Sequence, residues 1–395
     1  MMGPDFDEIV DRTNTDSLKY DFAQERGKPE GVLPLWVADM DFRAPQCVLD
    51  ALTEKARHGI FGYSETKADY FDAVHDWLSS RFGWEVRPEW LVKTPGVVFA
   101  ASMAIQALTQ EGEAVLVQEP VYYPFAESIL ANRRRLVVNQ LVYDEGGYRI
   151  DFDDFEEKVR RDKVRLFILC SPHNPVGRVW SRDELARLGK VCRENGVIVV
   201  ADEIHADFTY PGHTHQVFAG LSPEFADFTI TCTSPTKTFN LAGLQISNIF
   251  IPNAALRQRF CGRIACSGYS QGNLMGIVAC QAAYRGGAAW LEGLRGYLTG
   301  NLGFLRGYLR KAVPRIRLVE PEGTYLAWLD CSGLGLEDKA LDDFMVNRAG
   351  LWLDGGAMFG AGGSGFQRIN IACPRAVLKT ALDRLAQAVD GLGLS

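Results

Sequence analysis

Between about residues 90 and 290, short apolar runs alternate with longer amphipathic stretches, and this alternation restricts the chain to few folds. The apolar runs predict buried strands at residues 114–117, 164–169, 197–200 and 228–231. The amphipathic stretches between them predict helices, for example over residues 151–161 and 181–195. Strands that alternate with helices are typical of a mostly parallel, doubly wound sheet, so we expect an α/β fold.

The second of these helices carries its own start and stop signals. Ser181 and Glu184 have the spacing of a capping box, in which each side chain bonds the backbone N–H of the other residue. Gly196 follows the last residue of the apolar pattern, where glycine commonly ends a helix. These local signals predict a helix that begins after Ser181 and ends at Asn195.

The pattern changes after about residue 290. A long helix is predicted over residues 290–313, followed by strands at 325–329 and 367–371 and a last helix over 375–389. We expect this region, residues 290–395, to form a smaller α+β domain beside a large α/β domain of residues 46–289. Residues 1–45 lack the alternation and are predicted to form an arm that packs with the small domain.

Composition excludes several classes of partner. The chain has 395 residues, with 42 Lys and Arg against 49 Asp and Glu, and such a mildly acidic chain is a poor binder of nucleic-acid phosphates. The apolar runs are too short to span a bilayer, and the acidic N-terminus lacks the pattern of a signal peptide. None of the nine cysteines forms a CxxC pair, so we expect no metal site. We expect a cytoplasmic protein that binds neither nucleic acid nor membrane.

Residues 233–243, which contain Lys237, form the segment most suggestive of chemistry. Lys237 follows a predicted buried strand, and open α/β sheets bind ligands at the carboxyl ends of their strands. The hydroxyls of Ser234 and Thr236 can bind a phosphate, and a lysine amine can form an imine with an aldehyde. By itself, however, this pattern is also that of an ordinary surface lysine after a strand.

Four further features are weak individually. Asp202 ends a predicted strand and is either a helix cap or a counter-charge to a ligand. Asn174 precedes Pro175 in a common turn signal, and Gly96 precedes a predicted helix whose first N–H groups can bind phosphate. Arg368 lies on a predicted strand of the small domain.

Taken in order, however, these features resemble a known superfamily. Gly96, Tyr122, Asn174, Asp202, Lys237 and Arg368 occur in the sequence order of fold type I pyridoxal 5′-phosphate (PLP) enzymes. From about residue 5 onward the chain resembles class I/II aminotransferases, and within them it is most similar to the carbon–sulfur β-lyases related to cystathionine β-lyase. The segments that carry this closer resemblance are residues 35–42, 62–63, 202–205 and 236–240.

The resemblance implies a set of roles around PLP. Lys237 would bind the cofactor as an imine and act in catalysis with Tyr122 and Tyr63. The other implied cofactor contacts are Asp202 at the pyridine nitrogen, Asn174 and His205 near the ring 3′-oxygen, Tyr122 stacked on the ring, and Gly96, Val97, Val98, Ser234 and Thr236 at the phosphate, with Tyr63 reaching it from the second chain of a homodimer. The implied substrate contacts are Arg368 at the α-carboxylate, with Asn174, Ala38 and Trp36.

Two positions depart from the general aminotransferase pattern. His205 stands where many members have a tyrosine, and Gln245 stands where many have a phosphate-binding arginine. The phosphate would then be neutralised by hydroxyls, backbone amides and a helix dipole. The glycine-rich residues 360–365 lack the Lys-Ser/Thr of a phosphate loop, so we interpret them as a flexible loop beside the substrate entrance.

The resemblance implies α,β-elimination on cystathionine or another S-substituted L-cysteine, giving a thiol, pyruvate and ammonia. The alternative is an aminotransferase acting on an apolar or aromatic amino acid, because both reactions share their first steps. A PLP-binding regulator is disfavoured, since the first 45 residues carry no helix-turn-helix pattern. An aromatic pocket for the thioether is expected from Trp36, Tyr122, Tyr123 and Phe125.

Overall fold

The computed structural model describes residues 5–144 and 147–393. The helices are α1 (Gln46–His58), α2 (Ala68–Phe82), α3 (Val97–Leu108), α4 (Pro124–Ala131), α5 (Phe152–Arg161), α6 (Arg182–Glu194), α7 (Pro223–Ala226), α8 (Pro235–Thr238), α9 (Ala254–Cys266), α10 (Leu274–Gly286), α11 (Ala288–Ala312), α12 (Asp338–Asn347) and α13 (Arg375–Asp390). The strands are β1 (Leu33–Pro34), β2 (Leu91–Thr94), β3 (Ala114–Glu119), β4 (Arg135–Gln140), β5 (Val142–Asp144), β6 (Gly147–Arg149), β7 (Leu166–Cys170), β8 (Ile198–Asp202), β9 (Thr229–Thr233), β10 (Ser247–Phe250), β11 (Arg317–Val319), β12 (Leu326–Asp330), β13 (Leu351–Trp352), β14 (Asp354–Gly355) and β15 (Phe366–Asn370).

A seven-stranded sheet in the order β2-β10-β9-β8-β7-β3-β4 forms the centre of the molecule. Strands β9, β8, β7, β3 and β4 are parallel, and β10 is antiparallel to both of its neighbours, so β2 runs with the parallel strands. The carboxyl ends of β2, β3, β7, β8 and β9 therefore meet at one edge of the sheet. The strands and helices predicted from the apolar pattern are confirmed, with boundaries shifted by one or two residues.

Both faces of this sheet are covered, which explains the continuous apolar runs. Along β7, Leu166 and Ile168 pack into one core cluster, whereas Phe167 and Leu169 pack into a cluster on the opposite face. Successive side chains of a strand point to opposite faces, so a strand between two helical layers has to be apolar throughout. The predicted doubly wound α/β arrangement is confirmed.

Local capping at α6 follows the sequence signal. The Ser181 hydroxyl accepts a hydrogen bond from the Glu184 N–H at 3.2 Å, and the Glu184 carboxylate accepts one from the Ser181 N–H at 2.8 Å. The helix ends before Asn195, and Gly196 has a φ of +66°, which favours glycine. The predicted capping box is confirmed.

A second, antiparallel sheet lies in the C-terminal part, in the order β11-β12-β15-β14. The buried Asn301 side chain of α11 donates to the Ile371 carbonyl at 2.8 Å and to the Cys373 carbonyl at 2.9 Å, which fixes the chain after β15 against this helix. Among the described residues, no helix is long and apolar enough to cross a membrane.

The N-terminal segment joins both regions. Strand β1 pairs in parallel with β13 of the C-terminal region. The Asn370 amide at the end of β15 donates to the Val37 and Asp39 carbonyls, and the Asn240 side chain after α8 bonds the backbone of Met40. Residues 37–40 are therefore held from two sides. The domain boundaries at residues 45 and 289 remain predictions. Residues 1–4 of the predicted arm and residues 394 and 395 of the predicted small domain lie outside the described residues.

Candidate active site

An inner cavity opens at the carboxyl edge of the large sheet. It is lined by Ala38, Val97, Val98, Tyr122, Cys170, Asn174, Asp202, Ile204, His205 and Lys237. These residues come from six separate places: the arm, the start of α3, the segment after β3, the carboxyl ends of β7 and β8 with the segments that follow them, and α8. Parallel strands bring them together because their carboxyl ends share one edge.

Lys237 is placed by a short helical turn directly after β9. Ser234 caps this turn by accepting a hydrogen bond from the Thr236 N–H at 3.1 Å. The Lys237 amine donates to the Ala38 carbonyl at 2.7 Å. Burial lowers the pKa of Lys237 to about 8, although the charges of Asp39 and Asp202 oppose that shift. A substantial fraction of this amine is therefore neutral near neutral pH, as a nucleophile or a general base requires.

Asp202 is the last residue of β8 and is almost fully buried. Its carboxylate accepts a hydrogen bond from the Ile204 N–H at 3.1 Å, and within the described residues it forms no ion pair. Burial raises the pKa of Asp202 to about 7. A buried carboxylate without a cation is costly, so this position suits a ligand that brings a positive charge.

His205 and Tyr122 form two further walls. Burial lowers the pKa of His205 to about 3, so its ring is neutral, and its Nδ1 has no hydrogen-bond partner among the described residues. The Tyr122 N–H donates to the Asn174 carbonyl at 3.0 Å, which joins the segments after β3 and β7. Burial raises the pKa of the Tyr122 hydroxyl to about 12, so it stays protonated.

Arg368 adjoins the cavity from β15 of the small sheet and is almost fully buried. Its Nη1 donates to the Asn174 Oδ1 at 2.9 Å, and its Nη2 donates to the Trp36 carbonyl at 3.0 Å and pairs with the Asp354 carboxylate. Asp354 faces Arg368 across the β14–β15 pair, so the ion pair is a cross-strand contact. The Arg368 Nε has no hydrogen-bond partner among the described residues.

A family model described as aminotransferase class I and II matches residues 30–385. The chain belongs to this family. It is 44% identical to cystathionine beta-lyase PatB of Bacillus subtilis, over 97% of this chain and 99% of that protein. The fold matches cystalysin from Treponema denticola, which contains pyridoxal 5′-phosphate, with a TM-score of 0.96 and 35% identity over 99% and 100% of the two chains. It also matches a PLP-bound C-S lyase from Staphylococcus hominis with a TM-score of 0.93 and 35% identity, over 98% of each chain.

The aminotransferase fold and the carbon–sulfur lyase subgroup inferred from sequence motifs are thus confirmed. The structure brings most of the predicted site residues of this family member to the inner cavity, namely Ala38, Val97, Val98, Tyr122, Asn174, Asp202, His205 and Lys237. Gly96 directly precedes α3 and is not one of the residues that line this cavity. Ser234 and Thr236 are buried beside the Lys237 turn and bond each other at 2.7 Å, outside the residues that line this cavity.

Other predicted residues lie farther out. Trp36 lines a separate outer cavity, and its carbonyl accepts a hydrogen bond from Arg368. Tyr63 is 96% exposed and does not line the inner cavity of its own chain. Gln245 is exposed. Phe125 is fully buried against the edge of the Tyr122 ring, so it lines neither cavity and cannot contribute to an aromatic pocket.

The glycine-rich segment is packed more closely than expected from the sequence. Residues 356–363 form two short 3-10 turns in place of an open loop. A Cβ on Gly363 would lie 2.0 Å from the Gly356 carbonyl oxygen. Gly360 has a φ of +116°, and a Cβ there would lie 2.1 Å from a Glu119 carboxylate oxygen. The glycines are therefore required by close packing. The expectation of a flexible loop is corrected.

Sequence reasoning missed two residues that organise the site. The Tyr325 hydroxyl donates at 2.9 Å to the same Ala38 carbonyl that accepts from Lys237. Asp354 occupies one side of the Arg368 guanidinium. An aspartate in the sequence Leu353-Asp354-Gly355 carries no special signal, and only the strand register places it opposite Arg368.

Proposed function

We propose that this chain is a PLP-dependent carbon–sulfur β-lyase that releases a thiol, pyruvate and ammonia from cystathionine or another S-substituted L-cysteine. The observation that supports it most is the presence, in one cavity, of a Lys237 amine that is partly neutral and a buried Asp202 carboxylate that forms no ion pair with a described residue. An amine that can form an imine and a carboxylate that can hold a ring-nitrogen proton are the two groups that PLP chemistry needs.

The residues present fit this cofactor. Asp202 would hold the proton on the pyridine nitrogen, and Tyr122 would lie against the ring. Val97 and Val98 begin α3, whose N-terminal N–H groups and dipole suit a phosphate. His205 and Asn174 offer neutral polar groups, and the Nδ1 of His205, which has no hydrogen-bond partner in the described ranges, is available to a ligand. When bound, PLP supplies an electron sink that allows the substrate Cα–H bond to break.

This chain's own groups then direct the reaction. Arg368 binds the substrate α-carboxylate, since its guanidinium reaches the cavity wall beside Asn174. The neutral Lys237 amine would take the Cα proton as a general base, and the Ala38 carbonyl and the Tyr325 hydroxyl hold its surroundings in place. The Cβ–S bond breaks with its electron pair on sulfur, the thiolate leaves, and the 2-aminoacrylate that remains hydrolyses to pyruvate and ammonia.

An aminotransferase with an apolar or aromatic substrate is the second candidate, favoured by the family model itself. It would use the same Lys237 and Asp202 but would release a keto acid that keeps the Cβ substituent, with no thiol. The matched carbon–sulfur lyases favour elimination.

Product balance separates the two reactions. Purified enzyme is incubated with L-cystathionine without any keto acid, and thiol, pyruvate and the cofactor spectrum are followed together. We expect one thiol and one pyruvate per substrate over many turnovers. Turnover that stops after one equivalent, with the cofactor in its amine form, and restarts on addition of a keto acid would identify an aminotransferase.

We further propose a homodimer with shared active sites, acting in the cytoplasm. Ile60, Phe61 and Tyr63 form a run of large side chains that are 68%, 62% and 96% exposed, and such a group suits burial by a second chain. Tyr63 of the partner subunit would then complete the phosphate site. The cysteines are free in the described structure, and free thiols are typical of a reducing compartment.

A further inference from the structure

An outer cavity of about 420 Å³ lies next to the inner one and shares no lining residue with it. Its wall includes Arg26 and Lys28 of the arm, Trp36, and Trp352 and Asp354 of the C-terminal region. Arg368 lies between the two cavities, because it contacts Asn174 of the inner cavity and Asp354 of the outer one. A long substrate held by Arg368 can therefore extend from one cavity into the other.

Two stacked indoles form the apolar part of the outer cavity. The rings of Trp36 and Trp352 lie 4.4 Å apart with an interplanar angle of 13°. A cation lies near each ring: the Arg26 guanidinium is 5.3 Å from the Trp36 ring, and the Lys28 amine is 5.7 Å from the Trp352 ring. These cation–π contacts hold both side chains at the cavity wall.

Neither of these two cations forms an ion pair with a described residue, although the Lys28 charge acts on the Asp354 carboxylate from a longer distance. Within the described part of the chain, no carboxylate lies within 4.0 Å of Arg26 or Lys28. The two acids of the cavity already have partners, since Asp354 pairs with Arg368 and Asp342 accepts a hydrogen bond from the Gln367 amide at 2.7 Å. Because Arg368 neutralises Asp354, the lining leaves the two cations Arg26 and Lys28 with the single carboxylate of Asp342, so the outer cavity has a positive excess.

We propose that the outer cavity is a subsite for the far end of the sulfur substituent, in which Arg26 and Lys28 select substituents that end in a carboxylate. The proposal rests on the proposed β-lyase function. It adds the substrate class: thioethers that carry a second acidic or amino-acid group, as cystathionine does, ahead of simple alkyl thioethers.

The groups along such a substrate match, in order, the residues that they would meet from the inner cavity to the outer cavity. The α-carboxylate binds Arg368, the Cα lies over the inner cavity, and the substituent beyond sulfur runs along the indoles, which suit its methylene groups. The terminal carboxylate meets Arg26 and Lys28, and an ammonium beside it can approach Asp342. Aspartate, whose side chain is too short to leave the inner cavity, gains nothing from this subsite.

The first test compares two substrates that differ only at this end, L-cystathionine and S-propyl-L-cysteine. In the double variant Arg26→Gln/Lys28→Gln, the ratio of kcat/KM for cystathionine to that for S-propylcysteine should fall about ten-fold, which corresponds to about 1.4 kcal/mol. The matched control is Arg187→Gln/Lys190→Gln, which removes the same charge from α6, where Arg187 also lies over an aromatic ring. The control should keep the wild-type ratio. A double variant whose ratio stays within two-fold of wild type would overturn the proposal.

A second test is independent of turnover. Calorimetry on the holoenzyme compares L,L-2,7-diaminosuberate, which has CH₂ in place of the sulfur of cystathionine, with L-2-aminoheptanoate, which lacks the far amino-acid group. Wild type should bind diaminosuberate more tightly, and the double variant should lose this preference. Equal binding of the two ligands by wild type would refute the subsite. If wild type produces neither thiol nor pyruvate but still shows the preference, the β-lyase function fails while the subsite stands.

Discussion

The lowered pKa of Lys237 predicts how fast the apoprotein captures PLP as the pH changes. Only the neutral amine attacks the cofactor aldehyde, because the ammonium has no free electron pair. With a pKa of about 8, about one amine in ten is neutral at pH 7. At its ordinary pKa of 10.5 the neutral fraction would be about one in 3,000. Burial thus increases the reactive fraction roughly 300-fold.

The sign and shape of the pH dependence follow directly. As the pH rises from 7 to 8, the neutral fraction, and with it the rate of capture, should increase about five-fold. Between pH 8 and 9 the increase should be less than about two-fold, because the amine is already mostly neutral. The rate should therefore reach a plateau just above the pKa of Lys237.

The assay mixes apoprotein with saturating PLP in a stopped-flow instrument and follows the visible absorbance of the lysine-bound cofactor from pH 6 to pH 10. Lys237→Ala serves as the blank and should develop no such absorbance. Asp39→Asn removes a charge that raises the pKa of Lys237, so its plateau should begin at lower pH. A wild-type rate that still rises about eight-fold between pH 9 and 10 would show a lysine with its ordinary pKa of 10.5 and refute the argument from burial.

Three further substitutions test the other roles. Asp202→Asn should leave PLP bound but slow Cα proton removal about ten- to 150-fold in single-turnover kinetics, because a neutral amide cannot hold the ring-nitrogen proton; an unchanged rate excludes this role. Arg368→Lys should raise the KM for amino acids about ten-fold and change kcat less, since an ammonium cannot reproduce the bonds to Asn174 and substrate; a normal KM would move the carboxylate site elsewhere. Mixed Tyr63→Phe and Lys237→Ala chains should be more active than the two variants measured separately, because one site of each mixed dimer carries neither change; a fully active monomer would contradict shared sites.

Local features of this protein could be predicted from its sequence. The Ser181–Glu184 capping box and the strands of the large sheet depend on residues that are neighbours in the chain, so a helical or strand periodicity is enough to reveal them. The sequence order of Asn174, Asp202 and Lys237 also indicated the site, since each of them lies at or just after the carboxyl end of a parallel strand.

What the sequence could not supply is the set of contacts between distant segments. The antiparallel direction of β10 and the strand order are decided by pairing among strands far apart in the chain. Periodicity reports which face of an element is buried, but not which element covers it.

The features of the active site likewise divide into those that the local sequence determines and those that depend on contacts between distant segments. The sequence by itself determined which residue types follow each strand, and so the chemistry that this family member can perform. Only the tertiary structure decided that the Ala38 carbonyl accepts a hydrogen bond from the Lys237 amine, 199 residues away in the chain. The same holds for the ion pair between Asp354 and Arg368 and for the two cations, Arg26 and Lys28, that flank the stacked indoles. These contacts arise when the sheets and the arm pack together, and their geometry depends on register and burial, which no local pattern encodes.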